Sequence, residues 1–149
     1  MKLNKILLGI TLSLFCLSAT AQNYNTGIGL RAGDASGLTV KHFIGANTAI
    51  DGIITTDKDL SAFRVTGLYE IHTSAFNTNQ LFWFYGGGGH FGSSGKSDVN
   101  IGIDGVVGLE WVVPEIPFSF SMDVKPSLDI IDEIDLDFLQ AGLSIRYVF

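Results

Sequence analysis

The last twelve residues of the chain, Phe138 to Phe149, read FLQAGLSIRYVF and alternate strictly between two kinds of side chain. Ala141, Leu143, Ile145, Tyr147 and Phe149 fall on one face, and Gln140, Gly142, Ser144 and Arg146 on the other. A period of two marks an extended strand with one apolar and one polar side. Termini are ordinarily solvated and frayed. A terminal strand this regular, closing on an aromatic residue, is expected to be built into the fold.

The same rhythm recurs upstream and yields eight segments. They are Thr26 to Gly33, Leu38 to Ile44, Ala49 to Thr55, Leu60 to His72, Leu81 to Gly92, Asn100 to Val112, Phe118 to Lys125 and Phe138 to Phe149. Turn-forming clusters separate them, including Asp34-Ala35-Ser36-Gly37 and Pro114-Glu115-Ile116-Pro117. Leu68 and Val106 break the alternation, because each is an apolar residue on the polar face. In the second segment the faces blur at His42-Phe43.

The N-terminus carries a different pattern. Lys2 and Lys5 precede the apolar stretch Ile6 to Leu17, and Ala19-Thr20-Ala21 forms a small-residue cleavage site before Gln22. This predicts a secretory signal over residues 1–21 and one mature domain over 22–149. The apolar stretch is too short for a stable bilayer-spanning helix. Phe15 before Cys16 disfavours lipidation. Cys16 is the sole cysteine, so disulfides and thiolate chemistry are excluded from the mature chain. Loss of Lys2 and Lys5 leaves 7 basic against 15 acidic residues, a balance that argues against nucleic-acid binding.

Charged residues make up 16% of the chain, against about 25% in typical soluble domains. After the signal, no apolar run is long enough for a membrane helix. Export, low charge and alternating strands predict an all-β fold: an eight-stranded antiparallel up-and-down transmembrane β-barrel following a cleaved signal peptide. A sandwich would present its polar face to water and carry far more Lys and Glu. The expected location is the outer membrane. Both termini and residues 45–48, 73–80 and 113–117 are placed on the periplasmic side, and residues 34–37, 56–59, 93–99 and 129–137 outside. Outer-membrane lipid and lipopolysaccharide are the expected partners of a monomer.

The terminal pattern resembles the signature read by the barrel assembly machinery, carried here by Gly142, Ile145, Tyr147 and Phe149 with Gln140 and Leu143. In architecture the chain resembles small eight-stranded outer-membrane barrels of the OmpA/OmpX type. The stretches GLYEIH (67–72), WFYGGGGH (83–90) and IGIDGVVGLEW (101–111) are also similar to small uncharacterised barrel proteins of Bacteroidetes-type bacteria. The resemblance implies a location and no particular activity.

Period-two phasing sends Arg31, Lys41, Arg64, Lys125 and Arg146 inward together with Asp51, Glu70, Asp104, Glu110 and Asp123. An eight-stranded barrel is just wide enough for side chains to fill, so these charges are expected to pair and plug the lumen. Tyr69, Trp83, Tyr85, Trp111 and Phe118 are expected at the lipid interface. Glu70, His72 and His90, with Ser93 or Ser94 as nucleophile, are the groups from which a lipid-modifying enzyme would be built. Their spacing supplies no triad motif, and the two histidines fall near opposite ends of the barrel. Asp129, Asp132, Glu133, Asp135 and Asp137 offer oxygen ligands for a divalent cation but lack the glycine and spacing of a calcium loop. Gly86 to Gly89 lies mid-strand and lacks the Lys-Ser/Thr tail of a phosphate loop. The expectation is therefore no catalytic site, no metal and no cofactor. The alternatives are a lipid-modifying outer-membrane enzyme and a soluble periplasmic β-barrel that binds a small apolar ligand.

Overall fold

The computed structural model describes residues 24–56, 61–94, 98–131 and 135–149, with only the backbone described at 94 and 135–139. The signal segment 1–21 and the loop centres at 57–60, 95–97 and 132–134 lie outside the described residues.

Eight strands follow one another along the chain. They are β1 (Thr26–Gly33), β2 (Ser36–Phe43), β3 (Thr48–Thr56), β4 (Ala62–Ser74), β5 (Leu81–Ser94), β6 (Asp98–Val112), β7 (Phe118–Asp129) and β8 (Asp135–Val148). Each pairs antiparallel with the next, and β8 returns to pair with β1, so the sheet closes as an up-and-down barrel. Closure removes the free edges that an open sheet of this size would expose. Both described termini share one end with the connections after β2, β4 and β6. The connections after β1, β3, β5 and β7 share the opposite end, here termed the loop end.

The alternation written in the sequence is the alternation of the wall. Outward residues include Ile28, Leu30, Val40, Ile54, Val65, Ile103, Val107, Met122, Leu143 and Ile145, all exposed. Inward residues on the same strands are buried and mostly polar, Arg31, Lys41, Asp51, Glu70, Glu110 and Arg146 among them. Polarity is thus inverted relative to a water-soluble core.

Leu68 and Val106 keep to the pattern of the fold while breaking the pattern of polarity. Both point inward and join Ile53 and Phe84 in a buried apolar cluster, Phe84 only 1% exposed and Leu68 2%.

β7 departs from the sequence-based boundary, which ended it at Lys125. A register shift between Lys125 and Ser127 accommodates Pro126, and pairing with β8 then continues to Asp129. Proline has no N–H for the ladder and is tolerated at such a bulge. The ladder therefore resumes where the sequence suggested an acidic loop.

Glycines within strands make room rather than turns. A Cβ on Gly86 or Gly88 would strike the β4 carbonyl oxygens of Tyr69 and Gly67, so here two backbones approach closely. A Cβ on Gly142 would strike the Arg31 guanidinium, and one on Gly108 the Phe84 ring 2.5 Å away. These two glycines leave the space that large lumen side chains occupy.

Candidate functional site

The interior is built in layers, because inward positions on neighbouring strands stack along the barrel axis. The layer nearer the termini centres on Glu110 and Arg146. Arg146 Nη2 donates to Asp51 Oδ2 at 2.7 Å, its Nη1 to Ser121 Oγ at 2.8 Å, and its Nε to Thr39 Oγ1 at 3.0 Å. Thr39 in turn donates its hydroxyl hydrogen bond to Asp51 Oδ1 at 2.7 Å. Glu110 accepts from Tyr24 at 2.6 Å and Ser119 at 3.0 Å, and lies 3.2 Å from His72 Nε2. Tyr24 precedes β1 and folds back over this end, edge-on to Phe43. Burial, reinforced by the Glu110 carboxylate, pushes its hydroxyl well above the ordinary range, so it stays protonated and donates.

Lys41 completes this layer. Its Nζ lies 2.7 Å from Glu70 Oε2, 3.7 Å from Glu110 Oε2 and 4.2 Å from the centre of the Phe84 ring. The approach to Glu70 is ion-pair close but off the line of a hydrogen bond, so its strength is chiefly Coulombic. His72 stacks against Phe84, at 5.3 Å between ring centres.

The second layer lies toward the loop end. Arg31 grips Asp123 with both terminal nitrogens, at 2.5 and 2.7 Å. Lys125 donates to Asp104 Oδ1 at 3.2 Å, and His90 Nδ1 lies 3.0 Å from the same oxygen. His90 Nε2 lies 2.7 Å from Asp129, which also meets Arg64 at 3.8 Å. Asp129 was expected in a solvated loop; the bulge at Pro126 carries it onto the wall instead. The other acidic positions of that stretch, Asp132, Glu133, Asp135 and Asp137, have no described side chains. Among the described residues no group of His, Cys, Asp or Glu has metal-holding geometry.

The apolar cluster separates the layers on three strands. Ile53 follows Asp51 on β3, Leu68 precedes Glu70 on β4, and Val106 lies between Asp104 and Glu110 on β6. Ten charged residues, Arg31, Lys41, Asp51, Arg64, Glu70, Asp104, Glu110, Asp123, Lys125 and Arg146, therefore all face inward, in two separated groups. His72 belongs to the first group and His90 to the second. Ser93 pairs across the ladder with the outward residues Phe63 and Val99 and so stands on the opposite side of its strand from His90. The side chain of Ser94, the other serine expected there, lies outside the described residues. A hydroxyl–imidazole contact, Thr26 with His42 at 2.8 Å, is exposed.

The aromatic residues expected at the lipid interface face outward. Tyr69, Trp83, Tyr85 and Trp111 are each about half exposed. Trp111 stacks on Phe120 at 6.0 Å, Phe118 meets Tyr147 edge-on at 5.7 Å, and Tyr147 leans on Phe149 at 6.1 Å. These rings lie on β4 to β8 and at Phe149, toward the end that holds the termini. Phe63 and Phe91 pair at 6.1 Å near the loop end. Gly142, Ile145, Tyr147 and Phe149 all lie on β8 or its last residue, where Phe149 exchanges backbone hydrogen bonds with Thr26 of β1.

No family model matches the chain, and neither a curated protein nor a solved structure matches it. The closed eight-stranded barrel therefore stands on the structure alone.

Two ionic layers with an apolar layer between them leave no continuous aqueous path on the β3–β6 side. Reconstituted in planar bilayers, the protein is expected to give no resolved conductance steps. Stable channels of uniform size would contradict a closed interior.

Proposed function

We propose that the protein is an integral outer-membrane β-barrel, held shut by its own ion-pair network, with a structural role in the cell envelope. The observation that carries this reading is the inversion of polarity: aliphatic and aromatic side chains outside, ion pairs within. Soluble monomers rarely expose contiguous apolar patches beyond a few hundred Å². This wall is apolar on every strand whose side chains are described, which suits lipid on all sides. The Trp, Tyr and Phe rings toward one end fit the level of the headgroups.

The signal-like residues 1–21 and the terminal pattern ending in Phe149 support export and delivery to the barrel assembly machinery. The likeness to OmpA/OmpX-type barrels, and to small barrels of Bacteroidetes-type bacteria, belongs to the same proposal. Its partners are then outer-membrane lipid and lipopolysaccharide, and the monomer is complete in itself because the sheet has no open edge. We assign no catalysis: the inward histidines, His72 and His90, are divided between the two layers. A soluble carrier of apolar ligands would need an apolar interior, whereas this one is filled with ion pairs.

Cell fractionation tests the reading. The full-length protein is expected in the outer-membrane pellet, released only by detergent, with a gel mobility that shifts on heating. Deletion of Phe149 is expected to cut the inserted fraction several-fold, since it removes both the terminal aromatic and the backbone bonds to β1. Recovery of the wild-type protein in the detergent-free soluble fraction would refute the proposal.

A further inference from the structure

The loop end of the barrel is not filled to the brim. A cup of about 300 Å³ opens there, with Ile53 of the apolar layer in its floor. Arg31, Arg64 and Lys125 all line it. Their carboxylate partners Asp123, Asp104 and Asp129 are not among its lining residues, although Asp129 is as exposed as Arg64. One carboxylate, Asp34, lies at the rim, where its Oδ2 accepts from the Ala141 backbone N–H at 2.9 Å. Among the described residues the cup wall thus presents three cations against one acid, although the whole layer is close to neutral.

The three cations also keep donors to spare. Arg31 uses one N–H of each terminal nitrogen on Asp123, and a guanidinium carries five. Lys125 spends one of three on Asp104. Arg64 is the most accessible, its side chain 23% exposed, and its pairing with Asp129 is loose at 3.8 Å. Asn100 lines the same cavity, and its buried side-chain oxygen has no hydrogen-bond partner among the described residues.

We propose that this cup is a binding site for a phosphate-type oxyanion, entered from the loop end and closed below by the apolar layer. Planar guanidinium forks match phosphate oxygens in geometry, and charge-assisted bonds of this kind are the strong ones. The volume is at the lower end of small-ligand cavities, so the anion is small or is the headgroup of something larger held outside. The chemistry is the same for a free phosphate and for a lipid phosphate monoester.

The test is calorimetric titration of the purified protein in detergent micelles at physiological salt, with inorganic phosphate and, separately, with dihexanoyl phosphatidic acid. Saturable binding of either is expected, weakened about tenfold or more by Arg64→Gln and largely retained by Arg64→Lys. Arg64 is at the mouth, so neither variant should disturb folding; unchanged thermal unfolding checks this. Binding of inorganic phosphate identifies a free anion as sufficient, and binding of the phosphatidic acid alone identifies a lipid headgroup as the source. If neither ligand binds at millimolar concentration, or if Arg64→Gln binds as tightly as wild type, the proposal fails. The titration reads the cup and not the location, so a detergent-free soluble barrel that bound phosphate would sink the membrane assignment and leave this site standing.

Discussion

Replacing Arg146 with alanine is expected to lower the unfolding free energy by about 3–5 kcal/mol, the range for breaking a buried ion pair from one side. Arg146 is 1% exposed and bonds to Asp51, Ser121 and Thr39, with Glu110 at 3.8 Å. Without it, three carboxylates, Asp51, Glu70 and Glu110, would face only Lys41 as a fixed cation in that layer. The loss is the cost of uncompensated charge rather than the worth of the pair, so removing the acids as well should recover much of it. The check is urea unfolding in micelles followed by the fluorescence of Trp83 and Trp111. Arg146→Ala combined with Asp51→Ala should be markedly less destabilised than the two single changes added together. Strict additivity would show that the contact carries no coupling.

The second large effect is expected at a residue with no side chain. Gly142 faces inward on β8, opposite Asp123 of β7, and a Cβ there would occupy the place of the Arg31 guanidinium. Gly142→Leu must therefore expel Arg31 from its grip on Asp123. Overpacking alone costs about 1–3 kcal/mol. Leaving Asp123 buried without its cation adds to it, for an expected loss of about 3–5 kcal/mol. Emptying the seat should reverse the sign of the coupling: in a background of Arg31→Ala with Asp123→Ala, Gly142→Leu should cost little. Equal cost in both backgrounds would mean that Gly142 serves the backbone and not its neighbour.

Which residues turn inward could be read along the chain, because a strand has only two faces and the polar residues keep to one of them. Arg31, Lys41, Glu70 and Arg146 were placed by that rule alone. Which cation meets which carboxylate could not. Arg31 and Asp123 are 92 residues apart, and Arg146 and Asp51 are 95 apart, so their meeting depends on the register of every strand between. Leu68 and Val106 read as exceptions to the pattern because each puts an apolar side chain on the polar, inward face. Their inward position makes sense only beside Ile53 and Phe84, from neighbouring strands. Asp129 was hidden by Pro126, a residue that ends most ladders and here only shifts one. Tyr24 gave no periodic signal at all, since it precedes the first strand and acts as a lid on the Glu110 layer.

The central claim is that lipid faces the apolar wall. Trp83 and Trp111, 44% and 46% exposed, are the only tryptophans in the chain and both stand on that wall. Their fluorescence in bilayers of lipids with brominated acyl chains measures contact with hydrocarbon directly. The account predicts strong quenching in those bilayers relative to unbrominated ones, and weak quenching by an aqueous quencher such as iodide. Emission that ignores the bromines and falls with iodide would place the wall in water and contradict it.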